Sequence, residues 1–234
     1  MKRLVFNGLR QYRGPFSKQS GKDDLRDINV LRLGDIATNC YIFREENSRT
    51  CGIVDPGDQG EYLAAWLMGR ELEPEAVFLT HGHFDHILGI PGLRKEWPSL
   101  SVYCHPADLG EGDAAQAFGQ SFPTVRSFGN VTPYREGDVI TVAGCALEVL
   151  ETPGHTPGSV TLRTGDVLFT GDTLFAGSMG RTDLPGGDEG QIMKSLRRLY
   201  GLEGDYEVLP GHEDSSTLEQ ERKTNYCIHM ALRQ

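Results

Sequence analysis

No stretch of this sequence approaches the roughly 18 consecutive apolar residues that a membrane-crossing helix needs. Before Arg10 the N-terminus has only a short apolar run, too little for the core of a secretory signal. Positive charge is scarce: 23 Lys and Arg stand against 33 Asp and Glu, a formal net charge of −10. Phosphates would meet net repulsion, which argues against nucleic acid or a membrane surface as partner. Cysteine is sparse and odd in number: Cys40, Cys51, Cys104, Cys145 and Cys227, with no C-x-x-C pair. The first four sit in apolar or β-like stretches and read as small core residues of a reduced, cytoplasmic protein. There is no fixed-period repeat and no low-complexity tract. The 234 residues are enough to bury a core without disulfides.

Glycine, by contrast, is plentiful. There are 29, about 12% against the usual ~7%. They cluster at 82–92, 154–158, 171–190 and 201–211, which predicts sharply turned loops between short strands. Residues 7–27 are polar and of mixed charge, and read as a loop or arm. From Ile28 the pattern becomes strand-like, at 30–33, 39–43, 51–54, 76–80 and 101–104. Four further short strands are expected at 139–142, 146–150, 159–162 and 167–170, and a last one at 206–209. Helical spacing covers 60–70, 87–97, 188–200, with Asp188 as cap, and 217–233. The stretch 106–128 reads as a helix followed by a loop. Two β-rich halves parting near residue 130 suggest two sheets, each with helices outside.

The chemistry is concentrated in histidine. Three of the seven fall in Thr80-His81-Gly82-His83-Phe84-Asp85-His86, directly after the apolar run 76–80. Side chains at i and i+2 of an extended segment point the same way, so His81 and His83 can share one metal ion. Asp85 and His86 lie just beyond, where the chain turns into a helix, and face a second position. Imidazole and carboxylate suit Zn²⁺, Fe²⁺ or Mn²⁺. Three more segments repeat one grammar, a short strand, then Gly or Pro, then a ligand-type residue. They end at His155 in Pro-Gly-His-Thr-Pro-Gly, Asp172 in Gly-Asp-Thr and His212 in Pro-Gly-His. Each candidate thus sits on a loop at a strand's C-terminal end.

Together T-H-G-H-F-D-H, P-G-H-T-P-G, G-D-T and P-G-H, in this order, resemble the metallo-β-lactamase superfamily. Within it the chain is similar to the short glyoxalase II-like hydrolases, with Gly180-Arg181-Thr182-Asp183, Ser216-Thr217-Leu218 and Glu221-Arg222 adding to the match over roughly 30–225. The resemblance implies an α+β fold, an αββα four-layer sandwich of two mixed β-sheets face to face with helices outside. It implies one hydrolase domain over 28–234, preceded by an arm at 1–27. It also implies that His81, His83 and His155 hold one divalent cation, that Asp85, His86 and His212 hold another, and that Asp172 bridges them. Zn²⁺ is the first expectation, Fe²⁺ or Mn²⁺ the alternatives. A hydroxide between the two would attack a small-molecule thioester or ester, with Asp85 orienting the water.

The rival the resemblance allows is an iron oxidoreductase similar to persulfide dioxygenases, needing only His81, His155 and Asp172. Another ester or lactone hydrolase is a further alternative, and a second copy of the chain as partner is left open. Asp55 is expected to brace the metal loop, and Arg181 with Asp183 to fix a loop. His105 and His229 are read as structural, and the Lys/Arg content of 194–198 as a solvated helix face. Residues 213–234 are too few for the helical domain that grips glutathione in the related thioesterase, so the expectation is a shallow pocket tolerant of different thiol carriers.

Overall fold

The computed structural model describes residues 10–12, 26–110, 114–117 and 120–233. Apart from 10–12, 26 and 27, the arm expected over 1–27 lies outside the described residues. Strands β1 (Arg10–Tyr12), β2 (Arg26–Leu33), β3 (Thr38–Glu45) and β4 (Thr50–Val54) lead through helix α1 (Gly60–Met68) to β5 (Glu73–Phe78). The chain passes α2 (Phe84–Ile87) and α3 (Ile90–Glu96) to β6 (Ser101–Cys104). A hairpin of β7 (Ala114–Ala117) and β8 (Gln120–Pro123) follows, then β9 (Thr132–Pro133). The second half runs β10 (Val139–Val142), β11 (Cys145–Glu151), β12 (Val160–Thr164) and β13 (Val167–Gly171). A small hairpin comes next, β14 (Leu174–Phe175) with β15 (Ser178–Met179), and then α4 (Glu189–Tyr200). The chain ends in β16 (Glu207–Pro210), β17 (Ser216–Thr217), α5 (Leu218–Thr224) and α6 (Tyr226–Ala231).

The strands form two mixed sheets, ordered β1-β2-β3-β4-β5-β6-β9 and β10-β11-β12-β13-β16-β17. Both faces of each sheet are covered, so the central strands are apolar throughout rather than alternating. In β3, Tyr41 and Phe43 face the other sheet while Cys40 and Ile42 face the helices, the two-residue period of an extended chain. In β13, Phe169 faces inward and Leu168 packs with Met193, Leu196 and Leu199 of α4. The outer layers are α1 and α3 on one side and α4, α5 and α6 on the other. This is the expected αββα sandwich. An aromatic block seals its middle, with Phe169 5.3 Å from Tyr41 and 5.6 Å from Phe43 between ring centroids.

Neighbouring strands β4, β5 and β6 run parallel, as do β13 and β16. Their C-terminal ends therefore collect at one end of the sandwich. The two sheets are tied there by backbone and tyrosine hydrogen bonds. Asn39 N–H donates to Gly211 O at 2.8 Å, Val160 N–H to Thr80 O at 2.9 Å, and Tyr41 O–H to Pro210 O at 2.7 Å. No helix among the described residues is long and apolar enough to cross a membrane.

Several stretches differ from expectation. The helix expected at 87–97 is two, α2 and α3, parted at Leu88-Gly89. Pro91 lacks the N–H that would bond Ile87 O and its ring would crowd that carbonyl, so the helix restarts. The stretch 106–128 is not a helix and loop but two short 3₁₀ turns, Pro106–Asp108 and Val125–Phe128, flanking the β7–β8 hairpin. Its residues have no sustained helical period to hold a longer helix. The helix expected at 217–233 breaks at Asn225, whose side chain accepts from Cys227 and Ile228 N–H and starts α6 afresh. Residues 10–12, read as arm, pair with β2.

Gly52 lies opposite Phe43 in the ladder between β3 and β4, and a β-carbon there would overlap the Phe43 ring. Gly52→Ala is expected to cost about 1–3 kcal/mol through this overpacking, read as a lower urea midpoint at unchanged slope. A wild-type midpoint would show that the aromatic block can yield.

Candidate metal centre

Seven side chains converge at the end of the sandwich where the strand ends collect. After β5 the chain stays extended, with His83 at φ −68° and ψ 148°, before α2 begins. His81 and His83 therefore lie on the same side and meet His155, which arrives on the loop after β11. The donor atoms of these three lie within 4.8 Å of one another. Asp85 and His86, on the first turn of α2, meet His212 from the loop after β16 in a second such cluster. Here His212 Nε2 stands 3.3 Å from Asp85 Oδ2.

Asp172, at the end of β13, reaches both clusters. Its Oδ2 is 3.6 Å from His155 Nε2 and 3.5 Å from His212 Nε2, and its Oδ1 is 3.5 Å from His86 Nε2. Gly211 makes that reach feasible. A β-carbon there would overlap Asp172 Oδ1 and the His86 ring. All seven residues singled out in the sequence are thus brought together.

The second ring nitrogen of three histidines is already committed. His86 Nδ1 donates to Asp55 Oδ2 at 2.9 Å. His155 Nδ1 donates to Arg181 O at 2.7 Å, and His81 Nδ1 to Thr80 Oγ1 at 3.2 Å. Each bond commits Nδ1 and turns Nε2 toward the centre, where its lone pair serves a metal once any proton there is displaced. His81 Nε2, His86 Nε2 and Asp172 Oδ1 are buried without any hydrogen-bond partner, an arrangement that costs free energy unless something fills it. His83 Nδ1 and His155 Nε2 approach to 2.9 Å. Imidazole and carboxylate donors in two sets with Asp172 between them, three of their atoms buried without a partner, fit two divalent cations.

Burial and the neighbouring imidazoles push His81 well below its ordinary value, and burial with His155 pushes His83 down to about 3. His86 goes the other way. Burial opposes its charge, but Asp55, Asp172 and Asp85 raise it to about 10. His212 is also raised: burial lowers it, but Asp85 and Asp172 outweigh that. Burial would raise Asp85, yet His86 and His212 hold its carboxyl well below the usual range.

Asp55 braces this centre as expected, accepting Thr80 N–H at 2.7 Å and Thr80 O–H at 2.6 Å besides His86. Arg181 and Asp183 form a bidentate pair at 2.6 and 2.7 Å. His105 Nε2 bonds Glu151 at 3.0 Å and His229 Nε2 bonds Arg222 O at 2.9 Å, both structural. The helix face at 194–198 is only partly solvated, because Arg197 holds Ala231 O and Arg198 holds Glu136 and Glu151 O.

Sequence reasoning missed Asp108. Its Oδ2 accepts Gly82 N–H at 2.9 Å and Thr156 O–H at 2.6 Å, and its Oδ1 accepts Gly158 N–H at 2.7 Å. One carboxylate thus joins the loop of His81 and His83 to the loop of His155. Nothing in His-Pro-Ala-Asp announces this, since its partners are distant in sequence. Above the centre opens a cavity of about 700 Å³ whose floor includes Asp85, Asp172 and His212.

A family model described as "Metallo-beta-lactamase superfamily" matches residues 33–212. The chain is 31% identical over 210 residues to the hydroxyacylglutathione hydrolase GloC of Haemophilus influenzae, covering 85% of this chain and 96% of that one. Among solved structures it is similar to BLEG-1, described as a B3 metallo-beta-lactamase, with TM-score 0.76 and 33% identity over 85% of this chain and 98% of that one. It is also similar to TTHA1623 in a di-iron-bound form, with TM-score 0.73 and 38% identity over 84% and 98%.

Asp108→Ala should strand two loop N–H groups and a hydroxyl. The expected loss is about 2–4 kcal/mol of stability, as lost hydrogen bonds to a charged group, with metal affinity falling roughly 10–100-fold. Thermal denaturation and elemental analysis check both, and wild-type values would reduce Asp108 to a bystander. A second expectation concerns protons. His81 and His83 carry none to displace near neutrality, whereas the raised His86 and His212 do. In chelator competition at pH 6, 7 and 8, loading of one equivalent of Zn²⁺ should vary less with pH than loading of the other, which tightens as pH rises. Equal pH dependence for both would contradict the assignment.

Proposed function

We propose that this chain, which belongs to the metallo-beta-lactamase superfamily, is a dinuclear metal-dependent hydrolase of thioesters, similar in activity to glyoxalase II. The observation that carries the reading is the pair of three-residue donor sets with Asp172 Oδ2 between them, 3.6 Å from His155 Nε2 and 3.5 Å from His212 Nε2. His81, His83 and His155 would hold one cation, and Asp85, His86 and His212 the other. Two bound cations would acidify a water molecule and polarise an acyl carbonyl. Zn²⁺ is the first choice from the donor set, with Fe²⁺ or Mn²⁺ compatible; the di-iron form of TTHA1623 supports keeping iron in the search.

The chain's own groups do the rest. Asp85, kept ionised by its neighbours, accepts a hydrogen bond from the attacking water and orients it. Asp55 and Arg181 O hold the rings of His86 and His155 so that no reorganisation is needed during reaction. The oxygen of water joins the acyl carbon, the carbon–sulfur bond breaks, and the sulfur leaves with a proton as the free thiol. No serine or cysteine nucleophile is required. The GloC resemblance supports the thioester class. Five cysteines outside any disulfide, four of them buried, fit a reducing, cytoplasmic setting.

A one-iron oxidoreductase would use His81, His155 and Asp172 and leave Asp85, His86 and His212 without a role, although their donors also cluster. The test is elemental analysis of protein purified without added metal, together with thioester, β-lactam and persulfide assays. Two equivalents of metal with thioester turnover support the reading. One iron with oxygen consumption on a persulfide, or turnover of the β-lactam alone, overturns it. Asp172→Ala should lose one metal and at least 10²-fold in turnover, ~3 kcal/mol of transition-state stabilisation. Unchanged turnover in a fully loaded variant would make Asp172 a turn residue.

A further inference from the structure

The cavity over the centre has a chemistry of its own. Its wall is built by Ile36, Phe84, Phe122, Phe175, Met179 and Leu184. Phe84 opens α2, between His83 and Asp85, and Phe122 comes from β8. Their rings stack at 3.9 Å between centroids with 19° between planes. Phe175 and Met179 come from the β14–β15 hairpin, which Asn225 holds through Ser178 O at 3.0 Å and Phe175 O at 3.2 Å. The side facing the stacked pair is thus fixed by a buried residue.

Charge at the rim points the same way. Apart from histidines, Arg181 is the one cation among the described residues lining the cavity. Its guanidinium is already bidentate on Asp183. Arg32, near the rim, is held by Asp214 at 2.6 Å and by Glu213 O at 3.0 Å. Glu213 lines the rim itself, and an adjoining recess of about 360 Å³ adds Asp35 and Asp58. Asp85 and Asp172, on the floor, face the proposed cations. A carrier with several carboxylates would meet acidic groups and, among the described residues of the lining, no unpaired guanidinium.

We infer that the substrates are thioesters of apolar acyl groups on uncharged thiol carriers, with the acyl chain against the Phe84–Phe122 wall and anionic carriers such as glutathione disfavoured. This rests on the thioesterase reading above. It replaces the tolerance for all carriers expected from the sequence. The cavity, about 700 Å³ and walled by aromatics, falls in the range that encloses a small ligand.

The test uses the metal-loaded full chain and four substrates: acetyl and hexanoyl thioesters of N-acetylcysteamine and of glutathione. The hexanoyl N-acetylcysteamine thioester should exceed its glutathione counterpart at least tenfold in kcat/KM. Lengthening acetyl to hexanoyl should gain at least tenfold. Phe122→Ala should shrink the chain-length gain, and Asp183→Asn, which frees Arg181, should shrink the gap between carriers. Hydrolysis of all four with glutathione equal or preferred would overturn the inference and leave the thioesterase reading standing. So would a chain-length gain indifferent to Phe122. No hydrolysis of any of the four by protein holding two metals would overturn the thioesterase reading and, with it, this inference.

Discussion

A single buried carboxylate, Asp55, is what the candidate metal centre rests on. It lies 1% exposed at the end of β4 and takes three donors, the Thr80 amide, the Thr80 hydroxyl and the His86 ring. A buried carboxylate costs several kcal/mol unless its oxygens are occupied. Because these donors belong to the segment that follows β5, satisfying Asp55 fixes that segment's path. His81 is positioned next, through Thr80 Oγ1. A bond of this kind also sets ring orientation, since committing His86 Nδ1 to Asp55 turns Nε2 toward the centre.

The remaining loops are fastened to this one. Asp108 joins Gly82 to Thr156 and Gly158, while Arg181 O holds the His155 ring. Asn39 and Tyr41, on β3, bond the backbone at Pro210 and Gly211, just before His212. The two sheets thus carry different ligands but share hydrogen bonds at the point where they must agree. Mutual packing of Tyr41, Phe43 and Phe169 holds the sheets in that relation. Fold stability and site geometry are therefore supported by the same contacts.

Electrostatics separates the two ligand sets. In the set of His81, His83 and His155, burial and the neighbouring imidazoles push His81 and His83 downward, so these two stay neutral. The set of Asp85, His86 and His212 contains a carboxylate, and its histidines shift upward. Asp172 shares the field of both. Repulsion between two cations a few ångströms apart is offset by such a shared anion.

Much of this was legible along the chain. Strand-like runs ending in Pro-Gly or Gly-Asp marked where ligands would stand, and T-H-G-H-F-D-H put four of them on one turn of chain, because period-two geometry and short spacing are local properties. The apolar strand run at 39–43 and the helical period at 188–200 were readable for the same reason. The two-helix break at Asn225 and the hairpin at 114–123 were not, since a side chain bonding its own backbone competes with helical period. Asp108, a carboxylate with partners at 82, 156 and 158, is invisible to any local pattern. So is the pairing of Phe84 with Phe122. The sequence by itself determined which residues offer imidazole and carboxylate donors and which strand ends present them. Only the tertiary structure decided that seven donors meet with one aspartate between two sets, and that the wall above them is apolar, because distances between residues far apart in sequence are set by packing of the two sheets and by no local preference.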